Sequence, residues 1–301
     1  MKRKLIIISI AIIVVIASVF ALSACNNRAT TQGQLSNFLV DHNKEYFEYD
    51  VQIGGTSIGV YKVTVTSHLA HSVINCPDEK EVEKGVFVES ELDVNYGGKH
   101  VVYNTGCYFN LVSGSSLMVP AYTYRIQTED GVETFRMSGN YQGSTFRFEK
   151  KVGEDDPSNG SFKLSGTYFD NNEFHQSLRT VSTFSTNFSF TFTVPLVSET
   201  ESTSASLTAK CSKDVMIKTA YTDSIPEYAE TGVSCYKVIL SRSTKVAGLS
   251  QTLYYAKTAL KSQTATEFTM RNVLVEFHEP LTSDENAEYV SYCLKVAKIL
   301  A

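Results

Sequence analysis

Four groups of residues have types and spacings suited to chemistry. Cys25 closes the tetrapeptide Leu22-Ser23-Ala24-Cys25 and puts a thiol where an apolar run gives way to polar residues. His68 and His71, in "SHLAH", stand three apart, with Cys76 and Asp78 nearby. On a helix both imidazoles would share a face and could ligate a metal. Here they follow a strongly alternating run, so the spacing reports a strand end. His278 and Glu279 adjoin in "FHEPL", and strand neighbours point to opposite faces, which makes them poor partners for one another. Asp155 and Asp156 lie in the Pro/Gly loop "GEDDPSNG", where carboxylates are solvated. There is no G-x-S-x-G elbow, no H-E-x-x-H, no Walker loop and no C-x-x-C. The expectation is a protein that is not an enzyme and uses no metal or cofactor.

The surroundings of Cys25 say more. Lys2, Arg3 and Lys4 precede residues 5–22, which are apolar except for Ser9 and Ser18. A basic start, an apolar stretch and small residues before a cut describe an export signal. The stretch is also long enough for a membrane anchor, which needs about 20 apolar residues. Leu22-Ser23-Ala24-Cys25 resembles the lipobox of bacterial lipoproteins: an aliphatic residue, two small ones, then cysteine. The resemblance implies a signal peptide over 1–24, cleavage between Ala24 and Cys25, and a diacylglyceryl group on the Cys25 thiol. Signal and anchor alike put the remainder outside the cytoplasm, since positive charge keeps the leading end inside. Two acyl chains hold a protein to a membrane stably, at about 0.8 kcal/mol per buried methylene. Residues 25–43, polar and without periodicity, read as the lipidated end and a flexible tether.

Without the signal the chain keeps 24 of its 27 Lys and Arg against 32 Asp and Glu, a formal charge of −8. That balance argues against nucleic acid or anionic lipid headgroups as partners. Cys76, Cys107, Cys211, Cys235 and Cys293 remain. Five cannot all pair, and most sit among apolar neighbours, as buried free thiols do.

Residues 44–301 read as one antiparallel β domain. "EYFEYDVQI" and "IGVYKVTVTSHL" flank a glycine turn, and "GVFVESELDVNY" and "KHVVYNTGCYFNLV" flank Gly97-Gly98. "AYTYRIQTE" and "VETFRMSGNY" flank Asp130-Gly131, a strong hairpin signal. "STFRFEKKV", "SFKLSGTYF", "NFSFTFTVPLVS" and further alternating runs follow. One helix is expected near 171–182, capped by Asp170, with Phe174 and Leu178 inward and His175 and Arg179 solvated. The tail "YVSYCLKVAKILA" fits a helix or a strand, since periodicity does not decide so short a run. The strands do not alternate with helices, which excludes a Rossmann-like sheet. The predicted fold is mainly β: a large curved antiparallel sheet, half-barrel or barrel-like, with one packed helix.

Seventeen Phe and seventeen Tyr are spread along these strands. They either fill an ordinary β core or line a concavity suited to an apolar ligand. The candidate lining residues are Tyr124, Phe146 and Phe148 in one region and Phe188, Phe190 and Phe192 in another.

"YDVQIGGTSIGVYKVTV", "YFDNNEFHQSLRTV", "VSCYKVIL" and "RNVLVEFHE" resemble an uncharacterised domain family of exported bacterial proteins, with the strands and the single helix in the same order. That resemblance implies kinship in shape with lipoprotein carriers of the LolA/LolB type, which wrap a curved sheet around lipid. The expected function is binding of an apolar or amphiphilic ligand, a lipid included, or of an envelope partner, on the extracytoplasmic face of a membrane. A structural lipoprotein without ligand and an unrecognised envelope hydrolase are the alternatives. Replacing Cys25 with Ser should block processing and leave the whole signal attached. Intact-mass analysis checks this, and a native protein with an unmodified Cys25 thiol would refute the lipobox reading.

Overall fold

The computed structural model describes residues 44–68, 85–111, 117–179, 189–242, 251–265, 267–281 and 288–300, with two-residue strand pieces at Gly33–Gln34, Ser72–Val73 and Glu81–Val82. Cys25, His71, Cys76, Asp78 and Phe188 lie outside the described residues, as do the signal and nearly all of the tether. The first eight strands of the main sheet are β1 (Lys44–Ile53), β2 (Thr56–His68), β3 (Gly85–Tyr96), β4 (Lys99–Leu111), β5 (Leu117–Glu129), β6 (Val132–Gln142), β7 (Thr145–Val152) and β8 (Ser158–Lys163). Six more follow: β9 (Ser189–Val197), β10 (Ser202–Ile217), β11 (Val233–Arg242), β12 (Gln251–Ala256), β13 (Leu274–Pro280) and β14 (Tyr289–Leu300). The tail is therefore a strand. The helices are α1 (Phe174–Arg179) and α2 (Ala220–Ser224).

Turn chemistry explains the hairpins. A two-residue hairpin loop of the favoured type needs left-handed backbone at both central positions. Asp130 and Gly131 supply it, with φ of 49° and 82°. Across the sheet the order is β8-β7-β6-β5-β4-β3-β2-β1-β14-β13-β12-β11-β10-β9. Chain neighbours are thus sheet neighbours, except at two places. The two ends of the domain pair with each other, Lys44 of β1 opposite Leu300 of β14. β8 and β9 do not pair, and this is the seam of an up-and-down, barrel-like sheet.

The seam is bridged by the segment leading into α1. Phe169 N–H donates to the Thr193 carbonyl (3.0 Å), and Thr193 N–H donates to that of Thr167 (2.8 Å). Lys150 of β7 reaches across to donate to the Ser198 carbonyl (2.7 Å).

Inward faces of β1 to β4 and β9 to β14 make the main core, with Phe47, Val63, Val88, Phe109, Phe277 and Leu294 among its members. α1 sits inside it. Asp170 caps the preceding turn, its Oδ1 accepting the Asn172 N–H (2.9 Å). Phe174 and Leu178 are buried, as expected. The expectation that His175 and Arg179 are solvated is wrong, because all six residues of α1 are buried. A helix enclosed by a curled sheet has no wet face, so an amphipathic reading misplaces its polar residues. Residues 171–173 form a turn rather than helix. Phe169 and Phe174 both pack on Phe192, at centroid distances of 5.2 and 6.2 Å. α2, over "AYTDS", is too short to show periodicity and was not anticipated; Thr219 N–H donates to Thr222 Oγ1 (2.9 Å) at its start.

Cys107, Cys211 and Cys235 are buried free thiols, and Cys293 is a half-buried one. Among the described residues no helix is long and apolar enough to cross a membrane.

Arg179 fastens α1 to the sheet. Its guanidinium meets Glu45 of β1 at 2.9 Å with side-chain exposures of 0% and 1%. It also donates to Gln176 Oε1 and the Arg271 carbonyl (both 3.0 Å) and lies 4.8 Å from the centre of the Phe47 ring. Removing one partner of such a pair leaves an uncompensated buried charge and costs about 3–5 kcal/mol. Arg179→Met should lower stability by that amount in denaturant melts. The double variant Glu45→Met/Arg179→Met should recover at least half of the loss.

Candidate functional site

Strand register gathers the site. Directly opposed residues on neighbouring antiparallel strands share a face. Ser90 of β3 opposes Thr105 of β4, which opposes Arg125 of β5. One step along, Tyr61 of β2 opposes Leu92, which opposes Tyr103. From the other side of the lumen come Gln251 of β12, Phe277 and Glu279 of β13, and Tyr292 of β14. Asn171, Asn172, Phe174 and His175, at the start of α1, complete the wall. These residues enclose an open-mouthed pocket of about 270 Å³. Phe277 and Tyr292 stack face to face, 4.0 Å between centroids, and Tyr61 stands edge-on to both.

Buried carboxyls lie behind the lining. Glu173 Oε1 accepts from Thr105 (2.7 Å) and Ser90 (3.0 Å). Burial outweighs these bonds and, with the Asp170 charge, raises Glu173 to about 8. Its Oε2 is sealed without a partner, which suits a neutral acid and not a carboxylate. Asp170 is raised by burial to about 6, against hydrogen bonds from Tyr141 (2.6 Å) and Asn172. Burial lowers His175 to about 4, so its ring is neutral at pH 7. A relay then crosses the pocket: His175 Nε2 lies 2.9 Å from Gln251 Oε1, and Gln251 Nε2 donates to Glu279 Oε1 (2.9 Å). Tyr292 donates to the other Glu279 oxygen (3.2 Å), and burial raises the Glu279 pKa. Arg125 lies 5.1 Å from the Tyr103 ring centre and 5.5 Å from that of Phe135. Burial lowers its pKa, but an arginine remains charged.

Of the aromatic residues expected to line a cavity, Tyr124, Phe146, Phe148 and Phe192 are not in the wall of this pocket. Tyr124 points to the opposite face of the sheet, where it clusters with Phe87, Tyr108 and Tyr122. Phe146 and Phe148 fill a separate buried cluster with Phe135 and Met137. Their rings lie against Gly139 and Gly160, where an added Cβ would approach to 2.4 and 2.3 Å. Phe192 is buried in the main core. Phe190 is placed by its backbone in β9, opposite Ala209.

The physical reason is an inversion in β5. Tyr124 and Ile126 share one face, Arg125 and Gln127 the other, but it is the polar face that turns into the lumen. His278 and Glu279 do point apart. His278 pairs outside with Glu276 (2.6 Å), and Glu279 turns into the pocket. Among the described residues no group of three or more His, Cys, Asp or Glu is placed to hold a metal ion. No sequence signal singles out Arg125; strand register places it beside Thr105, while Glu173 enters from the turn before α1.

No protein-family model matches the chain, and no curated protein is significantly similar to it. Among solved structures, it is similar to the beta-barrel-like protein of domain of unknown function DUF1849 from Brucella abortus. The TM-score is 0.50 at 8% identity, over 87% of this chain and 99% of that one. The likeness is one of fold: mostly β, barrel-like, in an uncharacterised bacterial domain.

The buried acids set a pH dependence. Between about 4.5 and about 8 the folded state holds the Glu173 proton while the unfolded state has lost it. Stability therefore falls as pH rises through that window, by at most about 1.4 kcal/mol per unit. His175 acts oppositely between about 4 and 6.5, where only the unfolded state is protonated. Above 6.5 the His175 contribution is complete. Denaturant midpoints should fall from pH 6.5 to 8 in the native protein and stay flatter in Glu173→Gln.

Proposed function

We propose that the protein is a lipid-anchored, extracytoplasmic binding protein that takes a small amphiphilic ligand into the pocket beside α1. The observation that carries this reading is the pocket itself, an opening of about 270 Å³ in the lumen beside α1. Its volume sits at the low end of ligand sites, which run from about 300 Å³ upward. Its wall mixes stacked aromatics with Ser90, Thr105, Asn172, Gln251 and two charged residues. Apolar walls with a few placed polar groups are what a ligand site needs. A lining this polar favours an amphiphile over a pure hydrocarbon chain, and the volume favours a short ligand over a diacyl lipid. The lipobox-like Leu22-Ser23-Ala24-Cys25 supports the anchor and the side of the membrane. The absence of a recognisable catalytic motif in the sequence supports binding over turnover.

Leu92→Trp places an indole in the pocket wall. Native mass spectrometry of the full chain taken from its membrane should find a small-molecule adduct on the native protein and none on Leu92→Trp. A bare native protein, or an adduct retained by the variant, would count against the pocket as the binding site.

A further inference from the structure

We infer that the pocket selects small amphiphiles bearing a single carboxylate, and that Arg125 is the residue that pairs with it. The inference rests on the pocket being the binding site and names its ligand class.

Each other buried ionisable group here has its partners: Glu173 has Ser90 and Thr105, Glu279 has Gln251 and Tyr292, Asp170 has Tyr141 and Asn172. Arg179 has Glu45. Arg125 differs. Tyr103 and Phe135 lie against its guanidinium, yet among the described residues it makes no ion pair and no hydrogen bond. Five N–H donors are left to the pocket. A cation drawn from water without a partner is costly, and its planar fork matches a carboxylate.

The rest of the pocket narrows the class. Arg125 is its sole cation, and Glu279 lies on a strand six places away across the sheet. Exposed Glu199 adds negative charge near Arg125. One cation among these acids matches a monoanion and leaves a phosphate dianion overcharged. The apolar part of the ligand lies against Phe277, Tyr292 and Tyr61, whose rings pack together in the pocket wall.

The test is equilibrium dialysis of 3-phenylpropanoate and its neutral isostere 3-phenylpropanamide against the full chain in lipid nanodiscs, with empty nanodiscs subtracted. The acid should bind at least tenfold tighter than the amide. Arg125→Gln should bring the acid down to the level of the amide and leave the amide unchanged. Arg125→Lys, which keeps the charge, should retain part of the preference, and thermal melts verify folding of both variants. Equal binding of acid and amide by the native protein, or acid binding untouched in Arg125→Gln, would overturn the carboxylate assignment and leave the pocket as a binding site. Binding of neither compound would overturn the pocket reading and this inference with it.

Discussion

The buried pair of Arg179 and Glu45, at 2.9 Å, holds together two things that could otherwise part: the curled sheet and the segment inside it. About eight strands make a barrel whose own side chains fill it, and wider barrels leave a channel or need a plug. This sheet has fourteen strands in its path. α1 and its approach are the plug. Apolar contacts from Phe174 and Leu178 would hold it in the lumen but would tolerate sliding. A charge pair with defined geometry does not, since a displaced Arg179 would leave Glu45 bare in the core. Tyr255 adds a second directional tie by donating to the His175 carbonyl (2.8 Å), and Asn272 adds a third by donating to that of Arg179 (2.8 Å).

The plug is shorter than the hole. Six helical residues span about 9 Å, whereas a strand of twelve residues spans about 40 Å. Main-core side chains fill the lumen along α1. The pocket opens at the start of α1, against Asn171, Asn172, Phe174 and His175. The pocket is thus a consequence of plug length and strand length together. Its polar character follows from the same place. Asp170, Asn172 and Glu173 belong to the turn that starts the helix, and their side chains need partners inside the sheet. Thr105, Ser90, Thr123 and Tyr141 supply them.

Much of this fold is legible in local chemistry. Asp130-Gly131 and the glycine pairs mark hairpins because few other residues accept left-handed backbone. Asp170 marks the start of the helical segment because a short carboxylate can hold a free N–H. What is not legible is which face of a strand turns inward. Alternation separates Tyr124 from Arg125, but it carries no sign. His175 and Arg179 mislead for a related reason: helical patterning assumes one wet face, and a plug has none. The site is less legible than the fold. Arg125, Glu173 and Glu279 lie tens to more than a hundred positions apart. They reach one lumen only through the curl of the whole sheet, and the facing of Arg125 depends on bulges such as the shifts between Tyr108 and Phe109 and between Gln127 and Thr128.

The inversion in β5 explains how a polar wall can exist in the core at all. Thr123, Arg125 and Gln127 on the lumen side would lose the burial that an apolar face contributes. That burial is recovered on the other side of the same strand, where Tyr122 and Tyr124 pack with Phe87 and Tyr108 into a cluster of their own. Four aromatic side chains buried there contribute on the order of 6–12 kcal/mol at about 1.5–3 kcal/mol each. That adds to what Val88 and Phe109 bury on the inner faces of β3 and β4, so the stretch of wall beside the pocket need not be apolar. The inner face is then free to carry hydroxyls, an amide and a cation. Splitting the two tasks between the two faces lets the strands that build the pocket be stable and polar together. It also makes the outer aromatic cluster the support of the site, although none of its residues touches the cavity.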